Sequence, residues 1–213
     1  MPTLNIFKYE TKRNNLYLRV ARGHFATANS HSNYYIDVVA QKARLSEATA
    51  VAEELASSIY SNTIVDTILC LDGTEVIGTC LAQELSKGDL LSMNAHKSIY
   101  VVTPESTTSG QMLFRDNIVP MIKGKNVLIL AVSVSSGRTV NSAVDVVKYY
   151  GGTVSGITGI FSTVEKCAGF PVVSVFNPDN LPGYEIYAPG ACPLCKAGQK
   201  LDALINCHGF TKV

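Results

Sequence analysis

The chain has 213 residues, 46% of them hydrophobic and 16% charged, and a mean hydropathy of +0.16. That is too apolar for a disordered protein and suits one large domain with appendages. Its formal charge of +1 supplies no global field toward nucleic acid or an anionic membrane.

The longest apolar run, residues 127–132 with Val134 beyond Ser133, is strand-sized and well short of the roughly 18 residues of a membrane span. The opening MPTLNIFKYETKRNN has no apolar stretch before a small-residue cleavage site, so no secretory leader is expected and the protein is placed in the cytoplasm. Six cysteines in a chain of this size fit a reducing compartment better than a disulfide framework.

In chain order, the first 40 residues form an appendage in which Gly23-His24-Phe25 and Tyr34-Tyr35-Ile36-Asp37-Val38 are predicted to pair as short strands. Ala48, Val51, Ala52, Leu55 and Ile59 recur at helical spacing, which predicts an amphipathic helix over residues 45–60 with Ser46 as a cap. Residues 67–71 read as a strand that breaks at Asp72-Gly73. Val76, Ile77, Cys80, Leu81 and Leu85 then give a second helix. Residues 98–102 predict a strand, and the polar stretch 104–116 lacks periodicity and is expected to be a mobile loop.

Lys123-Gly124-Lys125 turns into residues 127–134, whose unbroken apolar character predicts a central strand covered on both faces. Val140, Val144 and Val147 form a helical stripe that Gly151-Gly152 can end. Strands are predicted at 154–161 and 171–176. The tail from Asn180, with Pro182, Gly183, Pro189, Gly190 and Pro193, reads as loop-rich.

This alternation predicts an α/β domain spanning residues 1–213, built on a doubly wound, mainly parallel sheet with right-handed crossovers. Residues 41–179 form its core, with 1–40 and 180–213 as appendages. Ligands in such sheets bind at the carboxyl ends of the strands, which directs attention to the loops after Leu71 and Val134. The second offers Ser135, Ser136, Gly137 and Thr139 at a helix N-terminus, where backbone N–H groups and the helix dipole can cradle a phosphate. Arg138 adds a bidentate donor. The local residues alone leave phosphate binding and an ordinary strand-to-helix turn as open alternatives.

Cys192-Pro-Leu-Cys195 has zinc-knuckle spacing, and Cys207-His208 follows with eleven residues in between. Together these provide four candidate ligands for Zn²⁺ in the tail. The alternative is a tail that simply packs on the body. Cys70, Cys80 and Cys167 fall in apolar segments and are expected in the core. A serine-hydrolase role for Ser135 or Ser136 is excluded because the Gly-x-Ser-x-Gly elbow is missing.

Residues 127–139 resemble the 13-residue ribose-phosphate motif of type I phosphoribosyltransferases: apolar residues, two acids, two apolar residues and a Thr/Ser-Gly-rich turn. Arg22-Gly23-His24-Phe25 followed by His31-Ser32-Asn33-Tyr34-Tyr35-Ile36-Asp37 resembles the hood of the orotate phosphoribosyltransferase family. Residues 189–198 resemble a tail found in some of its members.

The resemblance covers nearly the whole chain. It implies the type I phosphoribosyltransferase fold, with a small N-terminal hood and a loop-rich C-terminal tail, a homodimer with its active site near the interface, and a place in pyrimidine nucleotide metabolism. It also implies that Ser135, Ser136, Gly137, Arg138 and Thr139 hold the 5-phosphate of 5-phosphoribosyl 1-diphosphate (PRPP). Asp72, Gly73 and Thr74 would meet the pyrophosphate, and His24 and Phe25 the base.

The chain departs from the family at four contacts. Ala131 and Val132 stand where two acids hold the ribose hydroxyls and assist Mg²⁺. Losing two charge-assisted hydrogen bonds of roughly 1.5–3 kcal/mol each is a deficit of about 3–6 kcal/mol. The segment 101–110 lacks the mobile-loop cations and carries Glu105, and Arg115 can substitute only if the loop folds back. Gly159-Ile160-Phe161-Ser162-Thr163 replaces the Asp-Arg pair that contacts orotate. Asp72 and Glu75 bring acids to the pyrophosphate loop.

The expected function is an orotate phosphoribosyltransferase-like protein that binds PRPP or a nucleotide in a regulatory role with lost or reduced transfer. The alternatives are an active transferase for orotate or another nucleobase, and a scaffold with an empty pocket. Neither a membrane nor nucleic acid is an expected partner.

Overall fold

The computed structural model describes residues 4–10, 16–59, 63–87, 93–95 and 97–213. The chain divides into two units, Gln41–Asn177 and a discontinuous one made of Met1–Ala40 with Pro178–Val213. Hood and tail, separate appendages in the sequence reading, thus form one unit.

In the discontinuous unit, strands β1 (Phe7–Glu10), β2 (Tyr17–Ala26) and β3 (His31–Asp37) pair antiparallel in succession. The predicted short strands thus fall within longer ones, except that β3 ends at Asp37, one residue before the predicted Val38. Next come α1 (Val39–Ala43) and α2 (Leu45–Ser58). The central unit continues with β4 (Thr67–Cys70), α3 (Glu75–Ser86), β5 (Tyr100–Val102), β6 (Glu105–Ser106) and β7 (Met112–Leu113). It ends with β8 (Asn126–Val134), α4 (Arg138–Tyr149), β9 (Thr153–Ser162), β10 (Lys166–Cys167) and β11 (Phe170–Phe176).

The central sheet has the order β10-β11-β9-β8-β4-β5. Its strands run parallel except for the edge strand β10, so the predicted mainly parallel sheet is present. Residues 127–132 of β8 are each no more than 6% exposed, because α4 covers one face with Val140, Ala143, Val144 and Val147 against Val127, Ile129 and Ala131. On the other face α2 packs on α3, β9 and β11. Each large apolar side chain buried here contributes about 1.5–3 kcal/mol.

Helix α2 buries the predicted Ala48, Val51, Ala52 and Leu55, but its N-cap is Arg44. Ser46 lies inside the first turn. Tyr60, the expected end of that helix, is outside the described residues. Gly151, at φ 79°, ends α4, with its N–H bonded to the Lys148 carbonyl. The stretch 104–116, expected to be a loop, folds as the β6–β7 hairpin.

The tail adds β12 (Ile186–Tyr187), α5 (Pro193–Lys196), β13 (Ala203–Asn206) and β14 (Gly209–Lys212). With the hood they complete a sheet of order β12-β3-β2-β13-β14, in which β1 also pairs with β2. Phe25, Tyr35, Ala21 and Ala203 make its core. Among the described residues no helix is long and apolar enough to cross a membrane.

Candidate functional site

From β4 the sheet grows to β5 on one side, and from β8 to β9 and β11 on the other. The loops leaving β4 and β8 therefore diverge from neighbouring strands, the topology that opens a ligand crevice at the carboxyl edge. These are the two loops singled out from the sequence.

After β4, the Leu71 N–H donates to the Leu130 carbonyl at 2.8 Å. Asp72 and Gly73 then take positive φ values of 57° and 79°. Thr74 is buried, and its hydroxyl donates to the carbonyls of Leu71 (2.9 Å) and Leu130 (3.2 Å). Its side chain therefore fastens the turn, leaving Asp72 and Gly73 to form the loop surface.

Sequence reasoning missed the cation at this loop. Lys42 of α1 donates from Nζ to the Asp72 carbonyl at 2.7 Å, beside Gly73. Thirty residues separate the two, and Lys42 sits in no periodic pattern that would mark it. Close by in sequence, Glu75 accepts from the Thr103 hydroxyl at 3.1 Å.

Arg115 does not supply a free cation. Its guanidinium grips both Glu105 carboxylate oxygens at 2.6–3.0 Å across the β6–β7 hairpin. The Arg115 hydrogen bonds hold the Glu105 carboxyl below its ordinary pKa against the opposing effect of burial, with the Arg115 charge adding the least.

After β8, the Thr163 N–H and the Ser162 hydroxyl both bond the Val134 carbonyl, at 2.9 and 3.2 Å. Ser135 is half-buried, while Ser136, Arg138 and Thr139 are exposed. Gly137 has φ 70° and caps α4 with no side-chain hydrogen bond. A Cβ on it would sit 2.7 Å from Cys167 Sγ, so the turn requires glycine. The first turn of α4 therefore presents N–H groups outside the helix's own hydrogen-bond ladder, with the positive end of its dipole, in a segment that also carries hydroxyls and a guanidinium. This arrangement suits a phosphate.

The chemistry expected around a bound ribose is not built here. Ala131 and Val132 are 1% and 6% exposed and apolar. Only Ser133, the next residue, is exposed, so these positions offer Mg²⁺ no carboxylate and do not fit it. At the position of the orotate-contacting pair, Ile160, Phe161 and Ser162 are buried. The Ser162 hydroxyl is occupied by the Val134 and Val164 carbonyls.

The two residues expected at the base lie inside the discontinuous unit. Phe25 is fully buried with its ring 6.1 Å from that of Tyr35, and His24 is 1% exposed. Neither presents an open stacking face, which corrects that expectation. The metal-ligand set is corrected as well: Cys192 and Cys195 converge with His24 and His31. Cys207 and His208 form the β13–β14 turn. Strand β13 starts beside Phe25 and, at about 3.3 Å per residue, carries them away from it.

No family model matches the chain. Among solved structures, the adenine phosphoribosyltransferase of Thermoanaerobacter pseudethanolicus is similar at a TM-score of 0.51 and 16% identity, over 68% of this chain and 88% of that one. The Mycobacterium tuberculosis orotate phosphoribosyltransferase in complex with PRPP gives a TM-score of 0.50 at 14% identity, over 69% and 82%. The fold is that of the type I phosphoribosyltransferases. In sequence, the orotate phosphoribosyltransferase of Chlorobaculum parvum is 28% identical over 184 residues, 85% of this chain and 86% of that protein. The chain is accordingly orotate phosphoribosyltransferase-like.

Proposed function

We propose that the protein binds a phosphoribosyl compound, PRPP or a nucleotide, through residues 135–139 in a regulatory role, with phosphoribosyl transfer lost or reduced. The observation that carries this reading is the uncapped N-terminus of α4, held open by Gly137 at φ 70°. Ala131 and Val132 in place of carboxylates, and Arg115 engaged by Glu105, support the loss of transfer. The M. tuberculosis relative is described with PRPP bound. We place the protein in the cytoplasm, which six cysteines in no disulfide support, and as a homodimer.

Lys42 at the Asp72 carbonyl favours a second reading, an active transferase in which this ammonium offsets charge on the departing pyrophosphate. The reaction would join a nucleobase nitrogen to the ribose C1 of PRPP and release pyrophosphate.

Calorimetric titration with ribose 5-phosphate, PRPP and nucleotides, alongside pyrophosphate release with orotate and a panel of bases, tests both readings. The first expects binding that weakens in Arg138→Ala and no turnover. Base-dependent release that falls in Arg138→Ala establishes the second. No binding of any phosphorylated ligand overturns both.

A further inference from the structure

In the discontinuous unit, strands β2 and β3 pair with a shift in register between Arg22 and Phe25. A bulge of this kind re-aims a side chain, and the one it re-aims is His24. The tail locks the bulge in place. The His24 N–H donates to Asp202 Oδ2 at 2.8 Å, and the Asp202 N–H donates to the His24 carbonyl at 2.8 Å. Gly23 leaves room for that carboxylate, since a Cβ there would lie 2.5 Å from Oδ2.

The His24 ring is then oriented by its two nitrogens. Nδ1 lies 2.9 Å from the Gln199 carbonyl, a partner that can only accept, so Nδ1 carries the proton and Nε2 presents its lone pair. Nε2 stands 3.1 Å from His31 Nδ1 and 3.5 Å from both Cys192 Sγ and Cys195 Sγ. Cys195 Sγ is 3.3 Å from His31 Nδ1, and all four atoms lie within 4.8 Å of one another.

Around Zn²⁺, bonds of about 2.0–2.1 Å to nitrogen and about 2.3 Å to sulfur set tetrahedral ligand atoms roughly 3.3–3.8 Å apart. The separations here approach that spacing. A histidine whose other ring nitrogen donates to a backbone carbonyl is the usual outer support of a metal ligand. A tetrahedral pair of nitrogens and pair of sulfurs selects zinc over oxygen-seeking cations.

We propose that His24, His31, Cys192 and Cys195 hold one structural Zn²⁺ that fastens the 192–195 turn to the β2–β3 hairpin. Four protein ligands leave no open position for substrate, which makes the site a clip for the tail. The inference is independent of what the α4 N-terminus binds.

The full chain, purified under reducing conditions, is analysed for metal by mass spectrometry beside Cys195→Ser, His31→Gln and the control Cys207→Ser/His208→Asn. The expected result is about one zinc per chain. Occupancy should fall ~10-fold or more in the two ligand variants and stay unchanged in the control. X-ray absorption at the zinc edge of the unmutated protein keeps the test decisive if the ligand variants do not fold. It should give two sulfurs at about 2.3 Å and two nitrogens at about 2.0 Å.

The proposal is overturned by a chain that takes up neither Zn²⁺ nor Co²⁺. A Cys192–Cys195 disulfide in the reduced preparation, zinc lost from the control, or a shell without both donor types would also overturn it.

Discussion

The Lys42 ammonium lies 2.7 Å from the carbonyl oxygen of Asp72, in a loop whose residues 72 and 73 both have positive φ. The contact places a cation where the loop side chains contribute only acids. A charge-assisted hydrogen bond contributes about 1.5–3 kcal/mol. If the loop meets pyrophosphate, Lys42→Ala should weaken pyrophosphate affinity ~10–100-fold by calorimetry while ribose 5-phosphate binding at residues 135–139 is unchanged. Equal pyrophosphate affinity in parent and variant would remove Lys42 from the site.

Glu105 and Arg115 form an exposed bidentate pair, and the depressed Glu105 pKa gives it a pH signature. A carboxyl whose folded pKa lies below its unfolded value contributes stability that is complete above the unfolded value, about 4.3. That contribution disappears as pH falls through the lower, folded value. NMR titration of the Glu105 side chain should show a midpoint below the ordinary carboxyl range, returning to it in Arg115→Gln. Glu105→Gln should leave the melting temperature nearly unchanged, as expected for an exposed pair, and should release Arg115. An increase in PRPP affinity in this variant would show that the hairpin withholds a usable cation.

Gly137→Ala should damage both stability and phosphate binding. The left-handed conformation costs a non-glycine residue roughly 1–2 kcal/mol, and the new Cβ would meet Cys167 Sγ at 2.7 Å. Cys167→Ala removes the sulfur but not the backbone strain. Chemical denaturation of the double variant should therefore recover only part of the loss. Full recovery would mean that the turn tolerates alanine at φ 70°.

Much of the central unit was legible because its signals are local. The apolar run in β8 and the stripe on α4 are periodicities within single elements, and the two loops at the switch point follow from the strand alternation. The Ser-Gly turn after Val134 could be read for the same reason.

The contacts missed were those made between distant elements. Lys42 meets Asp72 through the end of a short helix. His24 meets Cys192 and Cys195 because a one-residue register shift turns its ring and because β13 lies beside β2. Sequence spacing favoured Cys207 and His208 as zinc ligands by proximity to Cys195, whereas strand β13 carries them away. Pro and Gly made the tail read as loops, and its short strands gain their order by pairing with the hood.

Gly78, in α3, gives a substitution whose sign opposes helix propensity. In an exposed helix interior, replacing glycine with alanine stabilises by about 1 kcal/mol. Here an added Cβ would lie 2.4 Å from Cys70 Sγ and 3.3 Å from Val101 Cγ1, and Cys70 is fully buried. Gly78→Ala should therefore destabilise the chain by about 1–3 kcal/mol through overpacking. In a Cys70→Ala background the closest obstacle is gone, and the same substitution should become neutral or stabilising. The double-mutant cycle in chemical denaturation measures that coupling directly. A second readout is the Cys70 thiol, whose pKa burial pushes up to about 12 and which should resist alkylation in the parent. If Gly78→Ala prises α3 from β4, Cys70 should label faster. A stabilised variant with Cys70 still protected would show that the helix shifts to accept the methyl group without cost.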